Sequence, residues 1–384
     1  MTGVVSRPTI PVARFEDRIA RAARATTEHG FDALLVGVGP DLRYLTGYEA
    51  LPLERLTMLV IPSGAEPRLV APRLEQAAAR AGVRPDVAIV TWEETEDPHA
   101  LVAGLVGAAG PARRVGVSDR LWASHLLRLQ AALPTVSFES ATMVLRDLRM
   151  VKDPDEIELL RLAAHAADRV IGQIAAGPLV GRTEADVARE VRERLLAEGH
   201  ELAEFSIVAS GPNSASPHHE ASERVIRAGE PIVLDIGGTL GGYGSDITRM
   251  VWVTGGDAAK GPDAEYLRLY GVLQDAQDEA TGAVRPGVAC ERIDAVARGI
   301  IESGGFGPQF FHRTGHGIGL EGHEDPYLVA GNAEPLREGA AFSVEPGIYF
   351  EGRYGARIED IVVCGPNGPI VLNQAPRDLL VVDG

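Results

Sequence analysis

The chain has 384 residues, which at roughly 100–200 residues per domain predicts two domains. With 37 Lys and Arg residues against 54 Asp and Glu residues, its net charge is −17. Such an acidic chain repels polyanions, so we expect neither nucleic acid nor an anionic membrane as a partner. Two cysteines, Cys290 and Cys364, are too few for a disulfide framework, which favours a reducing, cytoplasmic location. Met1–Ala13 lacks the basic-then-apolar order of a signal peptide, and no segment approaches the ~18 apolar residues of a membrane span.

Residues 1–150 alternate helix-like and strand-like segments, a pattern that predicts an α/β domain. Helices are expected over Arg14–His29, Arg73–Ala81 and Leu121–Ala131. Strands are expected over Leu34–Val36, Leu56–Ile61, Val87–Thr91, Val115–Val117 and Val136–Phe138.

A domain boundary is expected near Met150, giving domains of residues 1–150 and 151–384. Asp153-Pro154-Asp155-Glu156 then places a capping residue, a proline at the first helical position and a carboxylate at the third, and this helix should end at Gly177. Later helices are expected over Thr183–Gly199, Asp263–Val284 and Cys290–Ser303. Strands are expected over Phe205–Ala209, Ile232–Ile236, Asp246–Val253, Ala341–Glu345 and Arg357–Val363. Because helices and strands are segregated, this domain is predicted to be α+β.

Two aspartates stand at the ends of neighbouring predicted strands. Asp235 closes one strand, Asp246 opens the next, and the segment between them contains five glycines, which suits a hairpin. Buried aspartates on adjacent strands repel each other strongly unless a cation lies between them. Taken alone, however, the pair is better explained as ordinary strand-end and turn residues.

Histidines and glutamates follow in the same domain. His312, His316 and His323 lie within twelve residues, and imidazole is a common ligand of transition metals. Glu345 closes a strand, and Glu359 lies in so apolar a segment that it needs a partner, for which neighbouring Arg357 is the simplest candidate. Together with the two aspartates, these residues offer hard oxygen ligands and a nitrogen, which suits a pair of divalent ions.

In these positions the sequence resembles the pita-bread metallopeptidases, which include methionine aminopeptidase, aminopeptidase P and prolidase. The eleven-residue spacing of the aspartates, the segment Gly315–Gly319, and the contexts of the two glutamates match that family's metal ligands. Asp41–Tyr48 and Leu148–Lys152 resemble the first domain and interdomain segment of the prolidase, aminopeptidase P and creatinase branch. The run His312–His316 is most similar to bacterial Xaa-Pro dipeptidases.

The resemblance implies a creatinase-like N-terminal domain, a pita-bread catalytic domain and a homodimer. It implies two divalent ions per subunit, with manganese expected and cobalt, zinc or iron as alternatives. Their implied ligands are Asp235, Asp246, His316, Glu345 and Glu359. The implied substrate is a small peptide, an Xaa-Pro dipeptide, cleaved when a metal-activated hydroxide attacks the scissile carbonyl.

The resemblance also implies roles for residues around the metals. Glu345 would take and return a proton, and His218 and His323 would stabilise the oxyanion or orient the substrate. The neighbouring His219 leaves open which of the two adjacent histidines faces the substrate.

Further residues are expected to meet or support the substrate. His312 and Arg357 would bind it, since guanidinium suits a carboxylate. Thr248 would orient Asp246.

Three alternatives stay open at this point. An aminopeptidase P would act on longer Xaa-Pro peptides. A creatinase-like hydrolase would use no metal, and a binding module on this fold would have lost ligands. The complete set of five ligands disfavours the last two.

Overall fold

The structure is a computed structural model that describes residues 8–107 and 113–384. The segment Met1–Ala13, in which no signal peptide is expected, lies partly outside the described residues. Residues 10–149 form one compact unit, and residues 150–384 form the body of a second. Within the described ranges, no helix has both the length and the apolar character that crossing a membrane requires.

The unit of residues 10–149 is built on a six-stranded mixed sheet in the order β4-β3-β2-β1-β5-β6. Its strands are β1 (Ala33–Gly37), β2 (Met58–Pro62), β3 (Arg68–Pro72), β4 (Ala88–Trp92), β5 (Arg114–Val117) and β6 (Ser137–Ser140). Its helices are α1 (Val12–Glu28), α2 (Pro40–Thr46), α3 (Gln76–Gly82), α4 (Pro98–Val106), α5 (Ala123–Ala132) and α6 (Thr142–Met150). The α/β prediction for this unit is confirmed, although α2, β3, α4 and α6 were not expected from the sequence.

Over residues 150–384, the second unit contains four α-helices and three sheets. Its helices are α7 (Pro154–Ala175), α8 (Glu184–Ala197), α9 (Ala264–Gly282) and α10 (Cys290–Ser303). Its strands are β7 (Leu202–Ser210), β8 (Glu230–Leu240), β9 (Tyr243–Val253), β10 (Gly315–Gly317), β11 (Glu324–Leu328), β12 (Ala341–Val344), β13 (Gly347–Phe350), β14 (Tyr354–Arg357), β15 (Asp360–Gly365), β16 (Gly368–Val371) and β17 (Leu380–Val382). They form sheets in the orders β17-β9-β8-β7 and β11-β10-β12-β15-β16, with β13 and β14 paired separately.

The helix α7 begins where its sequence predicts. The Asp153 carboxylate accepts hydrogen bonds from the backbone N–H groups of Asp155 and Glu156, each at 3.0 Å. The Glu156 carboxylate accepts one from the Asp153 N–H at 2.9 Å, which completes a capping box. Local chemistry therefore marks this helix start, and the Tyr243 hydroxyl adds a hydrogen bond to Glu156 Oε1 at 3.0 Å.

The predicted glycine-rich hairpin is formed by β8 and β9. Its turn is Gly241-Gly242, where φ is +61° and +83°, a region that residues with a Cβ avoid. Asp235 lies opposite Thr248, and Gly237 lies opposite Asp246. Because facing pairs and alternate residues share a side of the sheet, the two aspartates point to the same face.

The two faces of this hairpin pack against different hydrophobic clusters. Side chains such as Ile232, Leu234 and Val251 pack with α7 and α8. Val233 and Met250, which lie on the face of the two aspartates, pack with α9, α10 and the β12–β15 pair. The aspartates therefore lie on the side of the hairpin that faces the second large sheet.

The prediction of one continuous strand over Arg357–Val363 is wrong. The structure has β14 ending at Arg357 and β15 beginning at Asp360. Between them, the Glu359 N–H donates to the Thr248 carbonyl at 3.2 Å, and Arg249 Nη1 donates to the Glu359 carbonyl at 2.6 Å. The backbone of Glu359 is thus held by β9, so the strand alternation expected across this segment does not apply.

We expect Gly237→Ala to destabilise the unit of residues 150–384. A Cβ at this position would lie 2.2 Å from the Ser245 carbonyl oxygen and 2.4 Å from the Phe205 ring, so backbone must shift. Overpacking of this kind lowers the free energy of unfolding by about 1–3 kcal/mol. Urea unfolding measures the change. Gly172→Ala is the matched control, because no atom lies within 4 Å of its added Cβ in α7. Equal stability of the two variants would contradict the prediction.

Candidate metal centre

Asp246, His316 and Glu359 bring three buried ligand atoms within 4.8 Å of one another. Asp246 comes from β9, His316 from β10, and Glu359 from the break between β14 and β15. His316 Nε2 lies 3.7 Å from Asp246 Oδ2 and 3.2 Å from an oxygen of Glu345, which directly follows β12. The fold therefore assembles carboxylates and an imidazole from distant parts of the chain at one place.

His316 presents its free nitrogen to these carboxylates. Its Nδ1 lies 3.1 Å from the Gly317 carbonyl oxygen, which can only accept, so Nδ1 carries the proton and Nε2 keeps its lone pair. Burial, with a further contribution from His323, lowers the pKa of His316 to about 3. A neutral imidazole fixed in this way is the form that binds a metal ion.

The carboxylates are too crowded to carry all their negative charge alone. Burial raises the pKa of Asp246 well above its usual value, and repulsion from Asp235 and Glu345 adds to the effect. Burial raises the pKa of Glu345 to about 7, and burial followed by repulsion from Asp246 raises that of Glu359. A divalent cation would restore the charge balance.

Two buried carboxylate oxygens have no hydrogen-bond partner among the described residues. They are Asp235 Oδ1 and Glu359 Oε1, whereas the second oxygen of each group is held by Arg357 Nη2 and by Thr248 Oγ1, respectively. An unpaired buried carboxylate oxygen is costly unless something binds it. The donor set and these two atoms together fit a metal ion.

The guanidinium N–H groups of Arg357 donate hydrogen bonds to other groups of the protein. It donates from Nε to Thr248 Oγ1 at 3.1 Å, from Nη1 to the Tyr349 hydroxyl at 2.8 Å and from Nη2 to the Pro217 carbonyl at 3.3 Å. Its carboxylate partner is Asp235, so the interpretation of Arg357 as the partner of Glu359 is wrong.

Thr248 supports a different carboxylate from the one expected. Its hydroxyl donates to Glu359 Oε2 at 2.7 Å, while accepting from Arg357, so it orients Glu359 rather than Asp246. The facing position of Thr248 and Asp235 in the hairpin lets Arg357 contact both.

His323 lies beside His316. Its ring stacks on that of His316 with centroids 3.8 Å apart, and His323 is exposed to solvent. Arg313 Nη2 donates to His323 Nδ1 at 3.0 Å. A guanidinium has no acceptor, so the His323 proton resides on Nε2, where it can be donated to a substrate.

His312 is connected to Arg357 through the Tyr349 hydroxyl. Its Nδ1 donates to the Arg313 carbonyl at 2.7 Å, and its Nε2 lies 3.1 Å from the Tyr349 hydroxyl. Burial lowers its pKa to about 4, with smaller contributions from Arg357 and His218. His312 joins the polar network of Arg357, which binds both the Tyr349 hydroxyl and the Pro217 carbonyl just before His218.

The structure distinguishes the adjacent histidines His218 and His219. His219 Nε2 lies 2.8 Å from Glu184 Oε2, whereas His218 is exposed. After burial and Arg313, His218 also lowers the pKa of His323. The Pro217 carbonyl, directly before His218, accepts from Arg357 Nη2 at 3.3 Å, so His218 is the one of the pair left to contact a substrate. Glu184 was not predicted as a functional residue, because in the sequence it looks like an ordinary first-turn acid of a helix.

Glu184 should make the stability of this unit sensitive to acid. Burial alone raises the pKa of Glu184, but hydrogen bonds from Ser222, Ser210 and His219 outweigh it and lower the pKa to about 2, from an ordinary value of 4.5. A depressed pKa contributes stability that is complete above about pH 4.5 and is lost as the pH falls towards 2. The shift corresponds to a contribution on the order of 3 kcal/mol.

We therefore expect the difference in unfolding free energy between the wild type and Glu184→Gln to shrink as the pH is lowered from 7 to 3. Urea unfolding at a series of pH values measures it. A difference that stays constant over this range would contradict the assignment.

Comparison with known proteins is consistent with this geometry. The model of metallopeptidase family M24 matches residues 158–366, and that of the creatinase/prolidase N-terminal domain matches residues 18–151. The probable dipeptidase PepE of Mycobacterium tuberculosis H37Rv is 46% identical over 368 residues, which are 95% of this chain and 96% of that protein.

Solved structures show the same two-domain fold. Dipeptidase PepE from Mycobacterium ulcerans matches with a TM-score of 0.89 at 45% identity, over 97% of this chain and 99% of that one. A prolidase from Thermococcus sibiricus matches with a TM-score of 0.88 at 35% identity, over 96% and 99%. The predicted fold class is confirmed. The chain therefore belongs to metallopeptidase family M24, with a creatinase/prolidase N-terminal domain ahead of its catalytic domain.

Proposed function

We propose that this metallopeptidase is a dipeptidase that uses two divalent ions to hydrolyse Xaa-Pro dipeptides. The observation that carries the proposal is the buried group of Asp246, His316 and Glu359, with ligand atoms within 4.8 Å of one another. The names of the similar proteins, dipeptidase and prolidase, support a dipeptide substrate and proline specificity. Aminopeptidase P activity on longer peptides is not favoured by them.

The five candidate ligands divide between two ions. Asp246, His316, Glu345 and Glu359 would hold one ion, and Asp235 would hold the other while sharing Asp246 and Glu359. Oxygen-rich ligands with one imidazole suit manganese, with cobalt, zinc or iron as alternatives. When bound, divalent ions supply Lewis acidity, which lowers the pKa of water and polarises a carbonyl oxygen.

The protein's own groups then move protons and hold the substrate. Glu345, which lies 3.2 Å from His316 Nε2, would accept and return a proton during the reaction. His323 offers its Nε2–H to the developing oxyanion, because Arg313 occupies its Nδ1. His218, which is exposed, would assist in the same role.

The two predicted substrate-binding residues separate in role. His312 belongs to the polar network of Arg357 and is left to contact the substrate. Arg357 is 3% exposed and already binds Asp235, so it acts by holding that ligand in place.

Other expectations stay predictions. The cytoplasmic location is supported by Cys290 and Cys364, which are both buried free thiols. The homodimer and the domain boundary at residues 150 and 151 follow from the family resemblance and from the sequence pattern.

Substrate choice can be tested with a peptide panel under one metal condition. We expect Ala-Pro and Met-Pro to be cleaved much faster than Ala-Ala, and an added third residue to slow cleavage. The Xaa-Pro bond lacks an N–H and isomerises slowly, so a site shaped for it favours the proline ring. Values of kcat/KM measure the preference.

A chelated sample is the control, and Mn²⁺ should restore its activity. Fast cleavage of Xaa-Pro tripeptides would indicate an aminopeptidase P. Full activity in metal-free protein would overturn the metal assignment.

Glu359→Gln tests the shared ligand. It removes a charge with little change in volume, and we expect loss of at least one bound metal ion per chain and a fall in rate of roughly 10²-fold or more. Elemental analysis measures metal content independently of activity. Glu351→Gln, at an exposed glutamate in the turn between β13 and β14, is the matched control and should keep both. Wild-type metal content in Glu359→Gln would contradict the role of Glu359.

A further inference from the structure

One buried carboxylate outside the metal centre accepts hydrogen bonds from several residues of one loop. Glu184, the first residue of α8, is fully buried. We call residues 210–222 the His218 loop. Its bonds to Glu184 come from the N–H and hydroxyl of Ser210, each at 2.7 Å, from Asn213 Nδ2 at 3.0 and 3.1 Å, from His219 Nε2 at 2.8 Å, and from the N–H and hydroxyl of Ser222 at 3.2 and 2.7 Å.

These donors lie at both ends of the His218 loop and next to His218 itself. Ser210 and Ser222 fix its two ends, and His219 fixes the position after His218. A carboxylate can accept about four hydrogen bonds in good geometry, so Glu184 is saturated by this loop. Among the described residues, only Glu184 forms hydrogen bonds to all of Ser210, His219 and Ser222.

The same loop contacts the metal-centre side of the fold. The Pro217 carbonyl, directly before His218, accepts from Arg357 Nη2 at 3.3 Å. Ser214 Oγ accepts from the Gly355 N–H in β14 at 2.9 Å. The loop is therefore bonded to Glu184 on one side and to β14 on the other, and His218 is exposed between these two attachments.

We propose that Glu184 is a positioning residue that acts through the His218 loop to hold the His218 imidazole towards the substrate. This inference rests on the role of His218 in the proposed function. Without the carboxylate, the serine, asparagine and histidine donors lose their common acceptor, and His218 keeps only the anchor that Arg357 provides at Pro217. The metal ligands keep their own supports, because none of them bonds to Glu184.

The first test needs no catalysis. Hydrogen exchange of the His218 loop should rise in Glu184→Gln, whose amide cannot accept from all of these donors, while bound Mn²⁺ per chain stays unchanged. The matched control is Glu156→Gln, since Glu156 is also a buried first-turn glutamate and Gln preserves a capping box. Unchanged exchange in Glu184→Gln would overturn the inference and leave the proposed function intact.

The second test is a double-mutant cycle on Ala-Pro cleavage. We expect Glu184→Gln to lower kcat by roughly 10- to 10²-fold with a smaller change in KM, within the loss caused by His218→Ala, and to cost little more in the His218→Ala background. Additive losses would show that Glu184 does not act through His218. Wild-type kinetics in His218→Ala would overturn both this inference and the role assigned to His218.

A milder pair of variants serves if Glu184→Gln does not fold. His219→Ala removes one donor to Glu184, whereas His219→Gln keeps an N–H that can reach it. We expect His219→Ala to lower kcat and His219→Gln to restore most of it. Equal kinetics in the two variants would overturn the inference.

Discussion

The structure of the catalytic unit depends on one electrostatic constraint, which is that buried carboxylates from three separate segments must lie together. Asp235 and Asp246 share one face of a hairpin, and Glu345 and Glu359 approach from the second large sheet. Burial and mutual repulsion raise the pKa values of Asp246, Glu345 and Glu359. Such a group is stable only where positive charge compensates it, and that requirement explains why the site suits divalent ions.

Buried arginine side chains and a threonine hydroxyl hold the carboxylates in position. Arg357 binds Asp235 and, through the Thr248 hydroxyl, the carboxylate of Glu359. Behind them Arg249, which is fully buried, binds Asp360 Oδ1 at 2.6 Å and the carbonyl of Glu359. The break between β14 and β15 is therefore fastened on both sides, and the ligand it carries is set by buried ion pairs rather than by a regular strand.

Local features could be predicted from the sequence, and features that depend on distant contacts could not. The capping box at Asp153 and the glycine turn of the hairpin are encoded within a few residues, so both were found. The break at Glu359 was missed because its backbone partner, Thr248, lies far away in the chain. Glu184 was missed for the same reason, since a first-turn glutamate gives no hint of the loop it binds. The candidate ligands were grouped by family resemblance, which carries spatial information that spacing alone does not.

The two faces of the β8–β9 hairpin are under different evolutionary constraints. Apolar residues on the face towards α7 and α8, such as Leu234 and Val251, contribute packing, and related apolar side chains can replace one another there at modest cost. Arg249 is the exception on that face, because it binds Asp360 and the Glu359 carbonyl. On the opposite face, chemistry and packing share adjacent positions. Homologous chains should therefore vary most at the apolar positions of the first face, which recur at every second residue of these strands.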